Sequence, residues 1–313
     1  MNMRCFSKHM SLFSQPLLSL PLPPRGETHL WYVIPDEVKN LSLLNQYLEI
    51  LSPTEKQSVL SFQEDERRKN ALLARALVRT TIARYQTNSY INPRSLKFKK
   101  NSYGKPEVDW PHEPDMSWPS LHFNLSHTSS LIACGVTTCS AIGIDVEEKK
   151  RTIKNKILSF ARRFFSLDEV EHLHSILDPE IQRQEFIKLW TLKEAYVKAL
   201  GRGFSATPFK TFRIHFKASS KNMSNIPEVT DLTESEIAVE STQFPNGRWQ
   251  FALLDLADTH YTAICTESDS FIKGNPSPMA LRVWKTIPFL EDLCMSGTDS
   301  VITVNGLVKQ LKS

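Results

Sequence analysis

Gly143-Ile144-Asp145-Val146-Glu147 is the stretch from which the fold can be read outward. Side chains alternate along an extended backbone, so Ile144 and Val146 form an apolar face and Asp145 and Glu147 share the opposite one. Downstream, Trp190-Thr191-Leu192-Lys193-Glu194-Ala195-Tyr196-Val197-Lys198 reads as helix and runs into Gly201-Arg202-Gly203. Glu194 and Lys198 stand one turn apart on a shared face of that helix. The two stretches supply three carboxylates and two lysines. That set suits a hard divalent cation holding a phosphate ester, because Mg2+ takes oxygen ligands, keeps several waters and borrows further oxygens from substrate phosphates.

Moving toward the N-terminus, Leu121 to Leu125 and Leu131 to Val136 are two β-like runs, joined by Ser126-His127-Thr128-Ser129-Ser130. With the run ending at Glu147 they predict an antiparallel meander that closes a first half. Thr28 to Ile34 has strand composition, as does Leu96-Lys97-Phe98-Lys99 before the turn Ser102-Tyr103-Gly104-Lys105-Pro106. Ser52-Pro53-Thr54-Glu55 combines an N-cap, a first-turn proline and a capping-box glutamate. A longer helix is expected from Asp65 to Tyr85, with Arg68, Arg75 and Arg79 along one stripe.

In the other direction, Ile153 to Phe165 is apolar at helical spacing. Ser166 and Glu169 then form a second capping box, and Asp178-Pro179 starts a helix that Gly201 should stop. Thr211 to Phe216, Trp249 to Leu254 and Tyr261 to Cys265 look like strands, with a polar, loop-rich insertion from Ser219 to Ser241. Helix followed by strands occurs in both halves, which predicts an α+β fold of two similar α/β lobes, antiparallel sheets with packed helices. The expected divisions are a leader over 1–26, an N-terminal lobe over 27–147, a C-terminal lobe over 148–267 and a tail over 268–313. Within the tail, Val301 to Val308 has the composition of an edge strand.

The chain has 313 residues, 41% hydrophobic and 23% charged, which is ordinary for a globular protein. No apolar run approaches a membrane span. A net charge of +4 favours acidic partners without arguing for nucleic acid. Five cysteines without Cys-x-x-Cys spacing speak against a disulfide framework and structural zinc, and for a reducing compartment. The first twenty-six residues hold no Asp or Glu and carry Arg4, Lys8 and Arg25 among many Ser and Leu. That composition is similar to a transit peptide and points to the mitochondrial matrix, with plastid or cytosol as alternatives.

Five motifs in order, Tyr103-Gly104-Lys105-Pro106, Phe123-Asn124-Leu125-Ser126-His127, Gly143 to Glu147, Arg163-Phe164-Phe165-Ser166 with Glu169, and Trp190 to Gly203, resemble the 4'-phosphopantetheinyl transferase superfamily. The resemblance is to its two-lobed, surfactin-type branch and spans roughly Leu51 to Phe216. It implies a monomeric holo-[acyl-carrier-protein] synthase, in which a carrier-protein serine attacks the pyrophosphate of coenzyme A. The carrier gains the phosphopantetheine arm and adenosine 3',5'-bisphosphate leaves. If the leader is an import signal, the carrier is the organelle's acyl carrier protein of fatty-acid synthesis. The resemblance assigns Asp145, Glu147 and Glu194 to Mg2+, and Ser126 and His127 to the 3'-phosphate side of coenzyme A. Lys105 falls to the nucleotide pocket, Lys193 and Lys198 to the phosphates, and Arg75 to the adenine end. Glu169 matches an acid that activates the serine, with capping as its alternative role. A magnesium phosphodiesterase or nuclease on the same acids, and a non-catalytic module binding coenzyme A or a carrier, are the competing readings.

Overall fold

Side-chain caps set the N-termini of four of the seven α-helices among the described residues, and sheet pairing then brings distant strands together. The structure, a computed structural model, describes residues 17, 19–85, 92–110, 121–153, 156–218, 235–243, 248–268, 279–296, 302–304 and 306–308. After β1 (Glu27–Val33) come α1 (Leu41–Glu49), α2 (Pro53–Leu60) and α3 (Asp65–Arg84), then β2 (Phe98–Lys100) and β3 (Pro106–Val108). Three strands follow: β4 (Leu121–His127), β5 (Ile132–Thr138) and β6 (Ile142–Glu148). The second half holds α4 (Ile157–Phe164), α5 (Leu167–Ser175), α6 (Pro179–Leu200) and α7 (Gly203–Ala206). It continues with β7 (Phe212–Ala218), β8 (Ser235–Ser241), β9 (Trp249–Leu256) and β10 (His260–Glu267). Last are β11 (Met279–Ile287), β12 (Glu291–Cys294), β13 (Ile302–Val304) and β14 (Gly306–Val308).

Both capping boxes form as predicted, Ser52 with Glu55 and Ser166 with Glu169. Asp178 accepts from the backbone N–H groups of Glu180 and Ile181 at the start of α6. Gly201 ends that helix at φ +65°, a conformation open to glycine at no steric cost. Asn40, which caps α1 through the N–H groups of Ser42 and Leu43, adds a helix that the sequence reading did not anticipate.

The protein is α+β, with mainly antiparallel sheets and packed helices. Of the two larger sheets, one runs β12-β11-β1-β5-β4, with β13 also on β11, and the other runs β14-β9-β10-β6; β2-β3 and β7-β8 are two-stranded ribbons. Trp31, Val33, Cys134 and Val136 face the first helices with Leu73, Leu77 and Ile82 of α3. Leu30, Tyr32 and Ala133 point the other way, and meet Ile144, Val146, Leu254 and Ile264 from the second sheet in a core shared by both. On the outer side of the second sheet, Leu192 and Tyr196 of α6 pack with Leu253, Ala263 and Cys265. Each sheet therefore carries one long helix, α3 or α6, on its outer face.

Three expected divisions need correction. The stretch ending at Glu147 does not complete a meander with β4 and β5; β6 pairs with β10 in the second sheet, aligning Asp145 with Ala263. The described residues before 27 are not separate from the fold, because Leu17 is buried in the first core with Leu20 and Leu22 packed beside it. Cleavage after residue 26 would strip three leucines from that core. The segment after residue 268 is not an appendage either: β11 lies parallel to β1, aligning Leu281 with Thr28. Trp284 of β11 stacks on Trp31 with ring centroids 4.5 Å apart. The strand foreseen over Val301 to Val308 is two short ones, β13 on β11 and β14 on β9. Most of the Ser219 to Ser241 insertion lies outside the described residues, although β8 falls at the insertion's end.

Candidate active site

Gly143 explains how the two acidic stretches come together. A Cβ on it would lie 2.0 Å from the Ala195 carbonyl oxygen and 2.2 Å from the Ala199 nitrogen, so the backbone of α6 rests directly on β6. Alternation then turns Asp145 and Glu147, like Gly143, toward the helix, while Ile144 and Val146 enter the shared core. Across the other edge of β6, side chains of β4 complete the backbone hydrogen bonding. Asn124 Oδ1 accepts from the Ile144 N–H at 2.9 Å, and Ser126 Oγ accepts from the Val146 N–H at 3.3 Å. The seam between the sheets is thus stitched by polar side chains at the place where the carboxylates emerge.

Lys198 Nζ donates to Asp145 Oδ1 at 2.6 Å and to Ser126 Oγ at 3.0 Å, and Ser126 Oγ donates to the same Asp145 oxygen at 3.0 Å. These three form the floor of a cavity of about 440 Å³, also lined by His127, Thr128, Glu147, Glu148 and Arg151. Asp145 is 5% exposed, and its Oδ2 is buried without a hydrogen-bond partner. Burial raises its pKa, with Lys198 pulling the other way. Glu147 is pushed up to about 7 by burial and then by the nearby Asp145 charge. Glu194 is raised by the same two causes in the same order. His127 at the rim is held below the usual imidazole value by burial and by the Lys198 charge.

Two of the three carboxylates carry an internal cation: Lys198 sits on Asp145, and Arg151 pairs with Glu147. Among the described residues no three His, Cys, Asp or Glu side chains form a group preassembled to hold a metal. Two features still fit a hard divalent cation. Asp145 Oδ2 is an orphaned buried acceptor, which is costly unless something positive reaches it. The carboxyls of Glu147 and Glu194 also bear the repulsion of Asp145, which a bound cation would relieve.

Of the other residues singled out in the sequence, Lys105 lines a second cavity of about 400 Å³, with Asn101, Trp110 and His122. Its Nζ donates to the carbonyls of Ile142 at 2.8 Å and Ala199 at 3.4 Å, and burial lowers its pKa to about 8. Lys105 therefore sits at the opposite end of the β4 and β6 seam from His127.

Lys193 and Glu169 do not belong to the site. Lys193 is fully buried on another face of α6, paired with Glu169 at 2.8 Å and donating to the carbonyls of Phe209 and Phe212. Glu169 Oε2 accepts from the Ser166 N–H and Oε1 from the Ile214 N–H, so its capping role is the one realised. No free face remains for it to act on a substrate hydroxyl.

Arg75 is likewise turned to structure, donating to the Ala71 carbonyl and Ser58 Oγ and lining neither cavity. Its neighbour on the stripe, Arg79, is buried against Glu55 and the carbonyls of Pro93 and Leu96. Arg151, like Thr128 and Glu148, lines the first cavity without having been singled out in the sequence. Its guanidinium lies over the Trp190 ring, 5.6 Å from the centroid. The signal was available in Lys149-Lys150-Arg151 directly after the acidic strand, with Arg151 four positions beyond Glu147.

Comparison with known proteins gives concordant matches. Residues 141–265 match the 4'-phosphopantetheinyl transferase superfamily, and residues 40–138 match the family described as 4'-phosphopantetheinyl transferase, N-terminal. The chain is 34% identical over 192 residues to the 4'-phosphopantetheinyl transferase HetI of Nostoc sp., covering 59% of this chain and 76% of HetI. It is 30% identical over 184 residues to the 4'-phosphopantetheinyl transferase Sfp of Bacillus subtilis, covering 58% and 74%. A putative 4'-phosphopantetheinyl transferase of Synechocystis sp. is 32% identical over 163 residues, covering 52% and 62%.

Proposed function

Because this chain belongs to the 4'-phosphopantetheinyl transferase superfamily, we propose that it transfers the 4'-phosphopantetheine arm of coenzyme A to a serine of an apo acyl carrier protein. The serine oxygen forms a bond to the phosphorus bearing the pantetheine, and the bond from that phosphorus to the bridging oxygen breaks. Adenosine 3',5'-bisphosphate leaves with the bond's electrons, and the proton lost by the serine ends on the departing phosphate. The carrying observation is the convergence of Asp145, Ser126 and Lys198 on one cavity floor, with His127 at its rim.

Such a transfer depends on neutralising the pyrophosphate and holding the nucleophile in line, so positioning and electrostatics do most of the work. Lys198 offers its ammonium group to the pyrophosphate, and Ser126 and His127 serve the 3'-phosphate side. Asp145, Glu147 and Glu194 would hold Mg2+, which when bound supplies positive charge for the pyrophosphate oxygens. Lys198 and Arg151 keep the carboxylates neutralised when no metal is bound. Lys105 is proposed for the nucleotide end, through the second cavity. We take the protein to act as a monomer on a carrier of fatty-acid synthesis in the mitochondrial matrix, directed there by its acid-free N-terminal stretch.

Incubation with apo carrier protein, coenzyme A and Mg2+ should add one phosphopantetheine mass to the carrier. Unmodified carrier with several carriers tried would refute transfer. Coenzyme A binding without modification would identify a binding module, and cleavage of nucleic acid independent of coenzyme A a nuclease. A fluorescent fusion to the first thirty residues that stays in the cytosol would refute import.

A further inference from the structure

The turn directly after Ser126 and His127 is gripped from the opposite sheet. Thr128 N–H donates to the Leu131 carbonyl at 2.8 Å, and Thr128 Oγ1 accepts from the N–H groups of Ser130 and Leu131 at 3.2 and 3.1 Å. That leaves its hydroxyl proton to be donated. His260 of β10, 2% exposed, brings its Nε2 within 3.0 Å of that oxygen. The proton positions on the ring follow from the surrounding network. Thr259 Oγ1 donates to the Ala257 carbonyl at 3.0 Å, so it accepts from His260 Nδ1–H at 2.8 Å. Nε2 is then an acceptor, with Ser130 Oγ at 3.1 Å as its second neighbour; because the Ser130 hydroxyl donates to Glu148, Thr128 is the donor to Nε2.

The grip has a second jaw. Glu148 Oε1 on β6 accepts from Ser130 Oγ at 2.7 Å and from Ser129 Oγ at 3.1 Å. Asn70 of α3 donates to the Ser129 carbonyl at 2.8 Å. The turn belongs to the first sheet, whereas His260 and Glu148 belong to the second. Thr128 and Glu148 both line the candidate active-site cavity, so this contact lies at the cavity margin beside His127.

From this we infer that His260 is a positioning residue, which holds the Thr128 to Leu131 turn so that Ser126 and His127 meet the anionic end of coenzyme A; the inference rests on the transferase reading above. His260 touches no substrate atom itself. Its neutral ring accepts the hydroxyl proton of Thr128, and without that acceptor the hydroxyl keeps only the long contact to the Leu131 carbonyl at 3.5 Å within its own turn. The turn then loses its tie to β10 and the cleft margin moves.

The test compares His260→Leu, His260→Gln and Thr128→Val in the full chain, by calorimetric coenzyme A binding, steady-state kinetics and amide exchange. His260→Leu should weaken coenzyme A binding and raise its KM by about tenfold, with kcat within about twofold, the scale of one lost hydrogen bond. Amide exchange at Ser130 and Leu131 should quicken. A glutamine side chain can present an amide oxygen near the Nε2 position, so His260→Gln should recover most of the affinity. Thr128→Val, which also removes the acceptor of the Ser130 and Leu131 N–H groups, should weaken binding at least as much as His260→Leu, and adding His260→Leu to it should cost little more. Unchanged KM and exchange in His260→Leu would overturn the inference. So would equal damage in His260→Gln, or a loss confined to melting temperature. If the wild-type protein fails to bind coenzyme A, the transferase reading falls, while the exchange measurement still decides whether the grip exists.

Discussion

Replacing Gly143 by alanine tests whether contact between β6 and α6 is what assembles the site. The added Cβ would lie 2.0 Å from the Ala195 oxygen, 2.2 Å from the Ala199 nitrogen and 2.8 Å from the Lys198 carbonyl carbon. All three are backbone atoms, so no rotamer change relieves the overlap. Restoring the shortest distance from 2.0 Å to the 3.4 Å where ordinary contact begins requires α6 to retreat by about 1.4 Å. The 2.6 Å bond between Lys198 and Asp145 would stretch beyond hydrogen-bonding range if Lys198 moved with the helix. Overpacking of this kind costs about 1–3 kcal/mol. A misplacement of about 1 Å in a catalytic arrangement costs about 100-fold in rate. Gly143→Ala should therefore fold with a melting temperature lowered by several degrees, and transfer phosphopantetheine about 100-fold more slowly. Gly135→Ala is the control, because its Cβ would meet only side-chain atoms of Ile144 and Ile142, at 2.8 and 3.0 Å, on the face of β6 away from α6. It should lose stability with far less effect on turnover. Wild-type turnover and melting in Gly143→Ala would refute the reasoning.

Asp145→Asn should reduce turnover by at least about 100-fold without lowering the melting temperature, since it removes a buried carboxylate whose pKa burial raises; unchanged turnover would remove Asp145 from the site. Glu147 shifts from 4.5 to about 7 on folding, so its contribution is fully present below pH 4.5 and is lost as pH rises through about 7. Melting of the metal-free protein should accordingly fall across that window, an excess of Mg2+ should counter the fall at the alkaline end, and Glu147→Gln should flatten it; a profile identical in wild type and Glu147→Gln would refute this. Lys193→Met leaves Glu169 buried without its partner and should cost about 3–5 kcal/mol in denaturant unfolding. Adding Glu169→Gln should recover part of that loss with near-normal turnover per folded molecule, whereas abolished turnover in a well-folded double variant would return Glu169 to the chemistry.

What was legible in the sequence was local. Ser52 with Glu55, Ser166 with Glu169, Asp178-Pro179 and Gly201 each carry their own boundary chemistry within four residues, and each forms as read. The floor of the cavity was legible too, because strand alternation and helical spacing put Asp145 and Lys198 on usable faces. The same helical spacing separates Lys193 from Lys198, and the burial of Lys193 shows that a shared motif does not imply a shared site. Glu169 presents one pattern for capping and for catalysis, and only its second oxygen, on the Ile214 N–H, distinguishes them. Arg75 and Arg79 look like a solvated basic stripe until α2 and the Pro93 to Leu96 segment are packed against them. The pairing of β6 with β10 spans more than a hundred positions, and nothing within either strand announces its partner. His260 had no local signal at all, since its role depends on a turn in the other sheet.

The parallel pairing of β11 with β1 has a consequence for how the protein is made. Thr28 leaves the ribosome early, but its neighbour Leu281 is added some 250 positions later. Until then β1 has an open edge, Trp31 lacks the ring that stacks on it, and Tyr47 lacks the Pro288 carbonyl to which it donates at 2.6 Å. The sheet that holds β1 therefore closes only after β11 has been added. Long-range pairings of this kind form slowly and leave strand edges exposed meanwhile. During synthesis the nascent first lobe would be the segment most in need of protection, and its final strand arrives only after both halves of the active-site cleft have been translated.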